Sequence, residues 1–276
     1  MLVVLVVLLV PLACASFIRM NTNIYVEPVV NDGSTAINVS LSNSGDEPAH
    51  DAQVSLVLPD GFTTNTAYIG MMYPNFPYNA DFNVSISSDV PPGRYPIVLK
   101  LHYADANAYP FSVVSPSFLM YKEATPIMIR GFMPEISIGT SGDKGLTLRL
   151  SNLDSKPHSL SVRIVTSDEL KVDSSEKQVN VPGSDESELS YKIKSFGALA
   201  GSTYIVFAVV EYDDGGRHYS SIATGVVKVV SGDSGLGLPA WLPLVVLVVL
   251  IAVFVYYQLN PKAFKFVTKW LKRKRR

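Results

Sequence analysis

The residues whose types could do chemistry are few and scattered. The chain holds four histidines, His50, His102, His158 and His218, and a single cysteine, Cys14. A zinc site draws His and Cys in close pairs, and none of these histidines has a second His or Cys at that spacing. The sequence contains no G-x-S-x-G elbow, no phosphate-binding glycine loop, no dinucleotide fingerprint and no H-E-x-x-H pair. Asp105 and the Asp213-Asp214 pair come nearest to a hard-cation site, but calcium takes six to eight oxygens and no dense acidic loop supplies them. His102 and Glu211 read as solvent-facing strand residues, and Asp185-Glu186-Ser187-Glu188 as a solvated turn. No pair of carboxylates is singled out for glycoside chemistry. The expectation is a protein without catalytic residues, metal or cofactor: not an enzyme.

Two patterns point instead to modification and contact. Asn38-Val39-Ser40 and Asn83-Val84-Ser85 are glycosylation sequons, and strand alternation puts both asparagines on an outward face. The segment from Tyr68 to Tyr78 (YIGMMYPNFPY) is long for a hairpin and dense in rings and thioethers. Its Tyr68, Met71, Met72, Tyr73, Phe76 and Tyr78 either close the open end of a sandwich or form a binding patch of the type found at protein interfaces.

The two ends of the chain carry membrane signals. Leu2 to Leu12 is apolar and is followed by Ala13-Cys14-Ala15. Eleven residues span about 17 Å as a helix, too short for a bilayer core, and the small-x-small triplet fits cleavage after Ala15. Residues 1–15 are therefore expected to be a signal peptide. With Cys14 removed the mature chain has no cysteine, so both domains must hold by packing alone. Near the other end Trp241 to Tyr257 (WLPLVVLVVLIAVFVYY) is uncharged, and a transmembrane helix is expected over 238–259. Basic residues follow on its C-terminal side only, which places the N-terminus outside and the C-terminus in the cytoplasm.

Charge is distributed to match. The net charge of -1 comes from 23 basic and 24 acidic residues, but Lys262 to Arg276 holds eight basic residues and no acid. The remainder is an acidic body, so the tail points to a membrane surface and not to sequence-specific nucleic acid. In the tail over 260–276, Phe264, Val267, Trp270 and Leu271 fall at helical spacing, with Lys262, Lys265 and Lys269 between them and Lys272, Arg273, Lys274, Arg275 and Arg276 behind. A basic amphipathic helix on anionic lipid follows from this spacing. A bare stop-transfer cluster, or a contact with a translocon or ribosome, are the other readings.

Between these ends the positioning elements are strands. Ile37, Val39 and Leu41 alternate with polar residues, as do Val54 and Leu56, then Phe82, Val84 and Ile86. Turn residues separate them: Asn31-Asp32-Gly33, Asn43-Ser44-Gly45, Pro59-Asp60-Gly61 and Pro91-Pro92-Gly93. Leu146, Leu148 and Leu150, then Leu160, Val162 and Ile164, then Leu189, Tyr191 and Ile193 repeat the theme. Tyr204 to Tyr212 is almost wholly apolar, as expected of a strand covered on both faces. The halves match at an offset of 109: Ser42-Asn43 with Ser151-Asn152, Pro48 with Pro157, Tyr95 with Tyr204, Tyr103 with Tyr212. Strand parity slips by one after the matched prolines, which requires an insertion compensated later. A period of this size means domain duplication.

The expected fold is all-β: two tandem immunoglobulin-like antiparallel β-sandwiches over 16–122 and 123–230, a stalk over 231–237, and one C-terminal transmembrane helix. The strand, Asn43-Ser44-Gly45 turn and second strand ending in Leu58-Pro59-Asp60-Gly61-Phe62 resemble the CARDB-type, S-layer-associated Ig-like modules of archaeal and other prokaryotic surface proteins. Pro91-Pro92-Gly93-Arg94-Tyr95 fits the same pattern, while in the second half Leu153-Asp154 replaces the Ser-Gly turn. That resemblance implies adhesion or envelope scaffolding by a plasma-membrane protein with a protein partner outside the cell. The overall plan is also similar to the translocon-associated protein alpha subunit of the endoplasmic reticulum membrane. The second sandwich, and the lack of an acidic segment after the leader, depart from that plan.

Overall fold

The computed structural model describes residues 17–231 and 242–259. The expected signal peptide, the stalk after Ser231, residues 238–241 of the expected transmembrane span and the basic tail lie outside the described residues.

Eight strands build the first sandwich: β1 (Met20–Tyr25), β2 (Ser34–Asn43), β3 (Ala49–Val57), β4 (Phe62–Thr63), β5 (Ala67–Met72), β6 (Pro77–Ile86), β7 (Gly93–Ala104) and β8 (Pro110–Tyr121). β1, β2, β6 and β4 form one sheet in that order; β8, β7, β3 and β5 lie in the other. The alternating residues meet between them, with Ile37, Val39, Phe82, Val84, Val54 and Leu101 all buried in one core. Such a core stabilises through removal of apolar surface from water, about 25 cal/mol per Å².

The second sandwich repeats this with β9 (Ile129–Phe132), β10 (Ile136–Gly139), β11 (Asp143–Asn152), β12 (His158–Val165), β13 (Leu170–Val172), β14 (Glu176–Val181), β15 (Glu186–Ser195), β16 (Thr203–Asp214) and β17 (Arg217–Val230). β13, β15, β11 and β9 pair in that order, opposite a layer of β14, β12, β16 and β17, with β10 parallel to β17. Its core holds Leu146, Leu148, Leu150, Leu160, Val162 and Tyr191.

The parity slip has a structural cause. Along β3 and β5, Ala49 pairs with Met72 and Val54 with Ala67, but the register shifts on both sides of Ala52. An extra residue bulges from β3 at Asp51, which takes a φ of 52°, and a compensating one from β5 beside Gly70, whose φ is 83°. The equivalent pair, β12 and β14, runs without interruption from His158↔Val181 to Arg163↔Glu176. The insertion is thus a pair of β-bulges, features that turn an edge away from further pairing.

Both sandwiches belong to one compact unit, and the C-terminal segment to another. A parallel bridge between Gly93 and His218 joins β7 to β17, so a single nine-stranded sheet passes from one sandwich into the other. Beside it Val98 and Val114 pack against Val165, Phe207 and Val209. This is the second covered face foreseen for Tyr204 to Tyr212. At the far side Ser112 donates its N–H to Glu169 Oε1 at 2.8 Å and its hydroxyl to Oε2 at 3.0 Å. Asp168 N–H returns a bond to Ser112 Oγ at 2.7 Å.

The C-terminal segment forms helix α1 (Leu242–Leu259), 18 residues against the 238–259 expected. At 1.5 Å per residue it rises about 27 Å, just under a hydrocarbon core of about 30 Å. Among the described residues no helix is long and apolar enough to cross a membrane.

Candidate functional site

β5 is the free edge of the nine-stranded sheet, and its connection to β6 crosses to the other layer of the first sandwich. Tyr68 is 70 % exposed, Met71 42 %, Tyr73 51 % and Phe76 62 %. These four side chains form an apolar, aromatic edge with no charged residue from Gly61 to Ala80. The loop is held in place by its own polar groups. Tyr68 donates its hydroxyl to Asp51 Oδ1 at 3.2 Å. Tyr73 N–H donates to the Tyr78 hydroxyl oxygen at 2.8 Å, and Asn75 N–H, in a left-handed turn with φ 62°, to Asn43 O at 2.7 Å.

Two of the six predicted contact residues do not belong to this surface. Met72 is wholly buried in the core, because at the end of β5 it alternates with the exposed Met71. Tyr78 is half-buried against the same core and serves the loop as an acceptor.

The two sequon asparagines stand on the outward face of the β1–β2–β6–β4 sheet. Asn83 is exposed. Asn38 is half-buried between Tyr25 and Asp81 in the register, and its Nδ2 donates to Asp81 Oδ1 at 2.6 Å. A glycan on Asn38 would have to displace that bond.

The remaining polar residues act between elements. Asp105 Oδ1 accepts the N–H groups of Asn107 and Tyr109, both at 2.8 Å, and these bonds hold its carboxyl below the usual range. His158 faces Asp154 Oδ2 at 3.0 Å, and His102 faces Asp168 Oδ2 at 3.2 Å. Asp213 and His218 pair at 2.7 Å through Nδ1. Glu211, expected to face solvent, points into the junction, with Oε1 3.4 Å from His218 Nε2 and Oε2 3.8 Å from Arg163. The Nε2 approach is an ion-pair distance without the geometry of a formed hydrogen bond. Among the described residues no group of three His, Cys, Asp or Glu is placed to hold a metal ion.

Sequence reasoning missed the cleft around His218, about 450 Å³, lined by Tyr95, Arg163, Glu211, Asp213 and Asp60 among others. Burial opposes protonation of His218, but the charge of nearby Glu211, with the hydrogen bond and charge of Asp213, outweighs it and raises the imidazole pKa. Burial raises the Tyr95 hydroxyl as well. Both imidazole nitrogens are directed at carboxylates, so neither faces a hydroxyl it could deprotonate. This cleft lies where the two sandwiches meet, and the aromatic edge is an exposed apolar surface away from it.

The sheets and this edge define an Ig-like β-sandwich protein. Residues 29–104 match the NPCBM-associated, NEW3 domain of alpha-galactosidase, a stretch running from the end of the first loop through β7. No curated protein matches the chain. Among solved structures, the native Escherichia coli alpha-2-macroglobulin is 13% identical with a TM-score of 0.30, over 76% of this chain and 17% of that one. The chain therefore spans less than a fifth of that protein. The third ScaC cohesin of Acetivibrio cellulolyticus is 12% identical with a TM-score of 0.31, over 38% of this chain and 100% of the cohesin. The periplasmic chaperone SfaE is 13% identical with a TM-score of 0.28, covering 76% and 100%. The first module is thus similar, over residues 29–104, to the NEW3 domain, an Ig-like β-domain.

Proposed function

We propose that this chain is a non-enzymatic surface protein, anchored by one C-terminal helix, whose paired Ig-like domains engage a protein partner outside the membrane through the β5 edge. The observation that carries the reading is the exposed cluster of Tyr68, Met71, Tyr73 and Phe76 on a free sheet edge of a sandwich that is itself fastened to its neighbour. Exposed aromatic and Met side chains mark interface cores, whereas scattered surface apolar residues need no explanation. Fastening the two sandwiches removes hinge freedom that a binding event would otherwise have to freeze.

Anchoring is supported by α1, whose side chains from Val245 to Phe254 are apolar and exposed, a surface suited to lipid. The sequence continues uncharged upstream of it, which brings the apolar stretch to the 238–259 span. With the basic cluster after it, the positive-inside rule puts the sandwiches outside the cell and the tail at anionic lipid in the cytoplasm. An envelope role of the CARDB or S-layer type fits this arrangement.

The test is photo-cross-linking in native membranes from a probe at Phe76, compared with one at Phe132, an equally exposed ring on β9. A discrete extracytoplasmic product formed from position 76 and absent from position 132 is the expected result. Equal, diffuse labelling from both positions would remove the β5 edge as an interface.

A further inference from the structure

We propose that the aromatic β5 edge docks an arginine-bearing segment of a partner protein. The inference rests on the reading that this edge is an interface and adds the chemistry of what meets it.

The first observation is the charge of the sandwich itself. From Met20 to Gly93 the sequence contains no Lys or Arg and eight Asp or Glu. Three of those acids stand around the aromatic edge. Asp51 accepts the Tyr68 hydroxyl. Asp46 and Glu47 lie in the turn that Asn43 ties to the edge, its Nδ2 donating to Glu47 O at 2.7 Å and reaching Met72 O at 3.4 Å. A neutral aromatic centre with an acidic rim repels anionic lipid and nucleic acid and favours a cationic polypeptide.

The second observation is an internal control. In the second sandwich the exposed ring of Phe196 carries Lys171 Nζ 3.4 Å from its centroid, and Lys177 Nζ, on the equivalent edge strand β14, sits 4.4 Å over Tyr191. That edge also bears Glu176, so it is guarded by its own charges. Among the described residues no cation covers Tyr68, Tyr73 or Phe76, and the stretch around them encodes none. Elsewhere both sandwiches cover rings with their own cations, Arg94 over Phe118 and Lys122 over Tyr121 in the first, whereas the rings of the β5 edge are left to a partner's.

Arginine fits this aromatic, acid-rimmed edge better than lysine. Its planar guanidinium stacks on an aromatic face and pairs two N–H groups with one carboxylate, whereas the ammonium is a compact, strongly hydrated charge. The bulges at Asp51 and beside Gly70 disfavour addition of a strand to β5, so recognition runs through side chains.

The test uses the full chain in detergent micelles and a fluorescent, end-capped tetra-arginine peptide, with tetra-lysine and tetra-glutamate as comparisons. Tetra-arginine should bind at low salt more tightly than tetra-lysine, and tetra-glutamate should not bind. The pair Tyr68→Ala and Tyr73→Ala should weaken tetra-arginine by about fivefold or more, two exposed cation–π contacts' worth. Asp51→Asn, which suits the same left-handed backbone, should weaken it further. Both tyrosines are exposed, so unchanged circular dichroism separates lost contact from lost fold. Equal affinity for arginine and lysine peptides, or no effect of the tyrosines, means general acidic attraction only and overturns the proposal. In the Phe76 cross-linking experiment, a discrete partner whose contacting peptide lacks arginine would overturn this inference and leave the interface standing. Absence of any discrete partner would remove both.

Discussion

The imidazole of His218 lies flat on the ring of Tyr95, with centroids 4.2 Å apart and planes inclined by 3°. Its backbone is held as well: His218 N–H donates to Pro92 O at 2.9 Å, and its carbonyl accepts Thr125 Oγ1 at 3.0 Å. One residue of the second sandwich is therefore bonded on both faces of its backbone and one face of its ring by residues before or at the start of that sandwich. Arg163, Glu211 and Asp213 complete the surroundings from the domain-two side.

A pH dependence follows. The folded pKa of His218 is raised above its ordinary 6.5 by Glu211 and Asp213 despite burial. A raised cationic group contributes stability that is fully present below the unfolded value and is lost as pH rises through the folded value. The melting temperature should therefore decline as pH rises above about 6.5, more steeply in the native chain than in His218→Gln. Parallel pH profiles for the two proteins would show that the imidazole charge does not fasten the junction.

Gly93 provides a second test of the same joint. A Cβ at this position would lie 2.1 Å from His218 O, with backbone on every near side. Gly93→Ala must separate β7 from β17, and the expected cost is at least about 2 kcal/mol in urea unfolding. A loss below about 0.5 kcal/mol would mean that the bridge yields without consequence.

Much of this was legible in sequence. Alternation at Ile37, Val39 and Leu41, and at Leu146, Leu148 and Leu150, located strands whose buried faces are those residues. The apolar run from Tyr204 to Val210 announced a second covered face, supplied by Val98 and Val114. What escaped was long-range. Tyr95 and His218 are far apart in the chain, and no periodicity links them. A signal was present in the Pro91-Pro92-Gly93 turn, where only a residue without Cβ admits a crossing backbone, but nothing local names the crossing residue. Met72 escaped for a different reason: the segment from Tyr68 to Tyr78 reads as a loop, and composition alone does not say which of two adjacent methionines turns inward.

Met71 and Met72 make that correction measurable. Met71 is exposed and Met72 fully buried beside Ala49 and Asn43. Met72→Ala should cost about 2–5 kcal/mol through the cavity it leaves, and Met71→Ala within about 0.5 kcal/mol of nothing. Comparable losses from the two substitutions would place both side chains in the core and shrink the proposed contact surface.

Asn43 and Asn152 test the duplication at the level of bonds. Each is buried at the end of a ten-residue strand, β2 for Asn43 and β11 for Asn152, and uses its carboxamide in the same way. Asn43 Nδ2 donates to Glu47 O at 2.7 Å, and Oδ1 accepts Gly45 N–H at 2.9 Å. Asn152 Nδ2 donates to Lys156 O at 2.8 Å and Pro182 O at 3.0 Å, and Oδ1 accepts Asp154 N–H at 2.9 Å. In both repeats the turn is folded around the side chain, so the Asn is retained although Ser44-Gly45 gives way to Leu153-Asp154. Truncation to Ala strands buried backbone groups, and each substitution should cost about 1–3 kcal/mol. Leucine should not rescue either site, because the loss is of bonds and not of volume. In Asn43→Ala the connection carrying Tyr73 and Phe76 should also loosen, since Asn75 N–H donates to the Asn43 carbonyl. Faster amide exchange at 73–76 in that variant, and not in Asn152→Ala, is the result that ties this buried amide to the contact surface. Equal exchange in both variants would show that the aromatic edge is held by β5 and the Tyr78 hydroxyl alone.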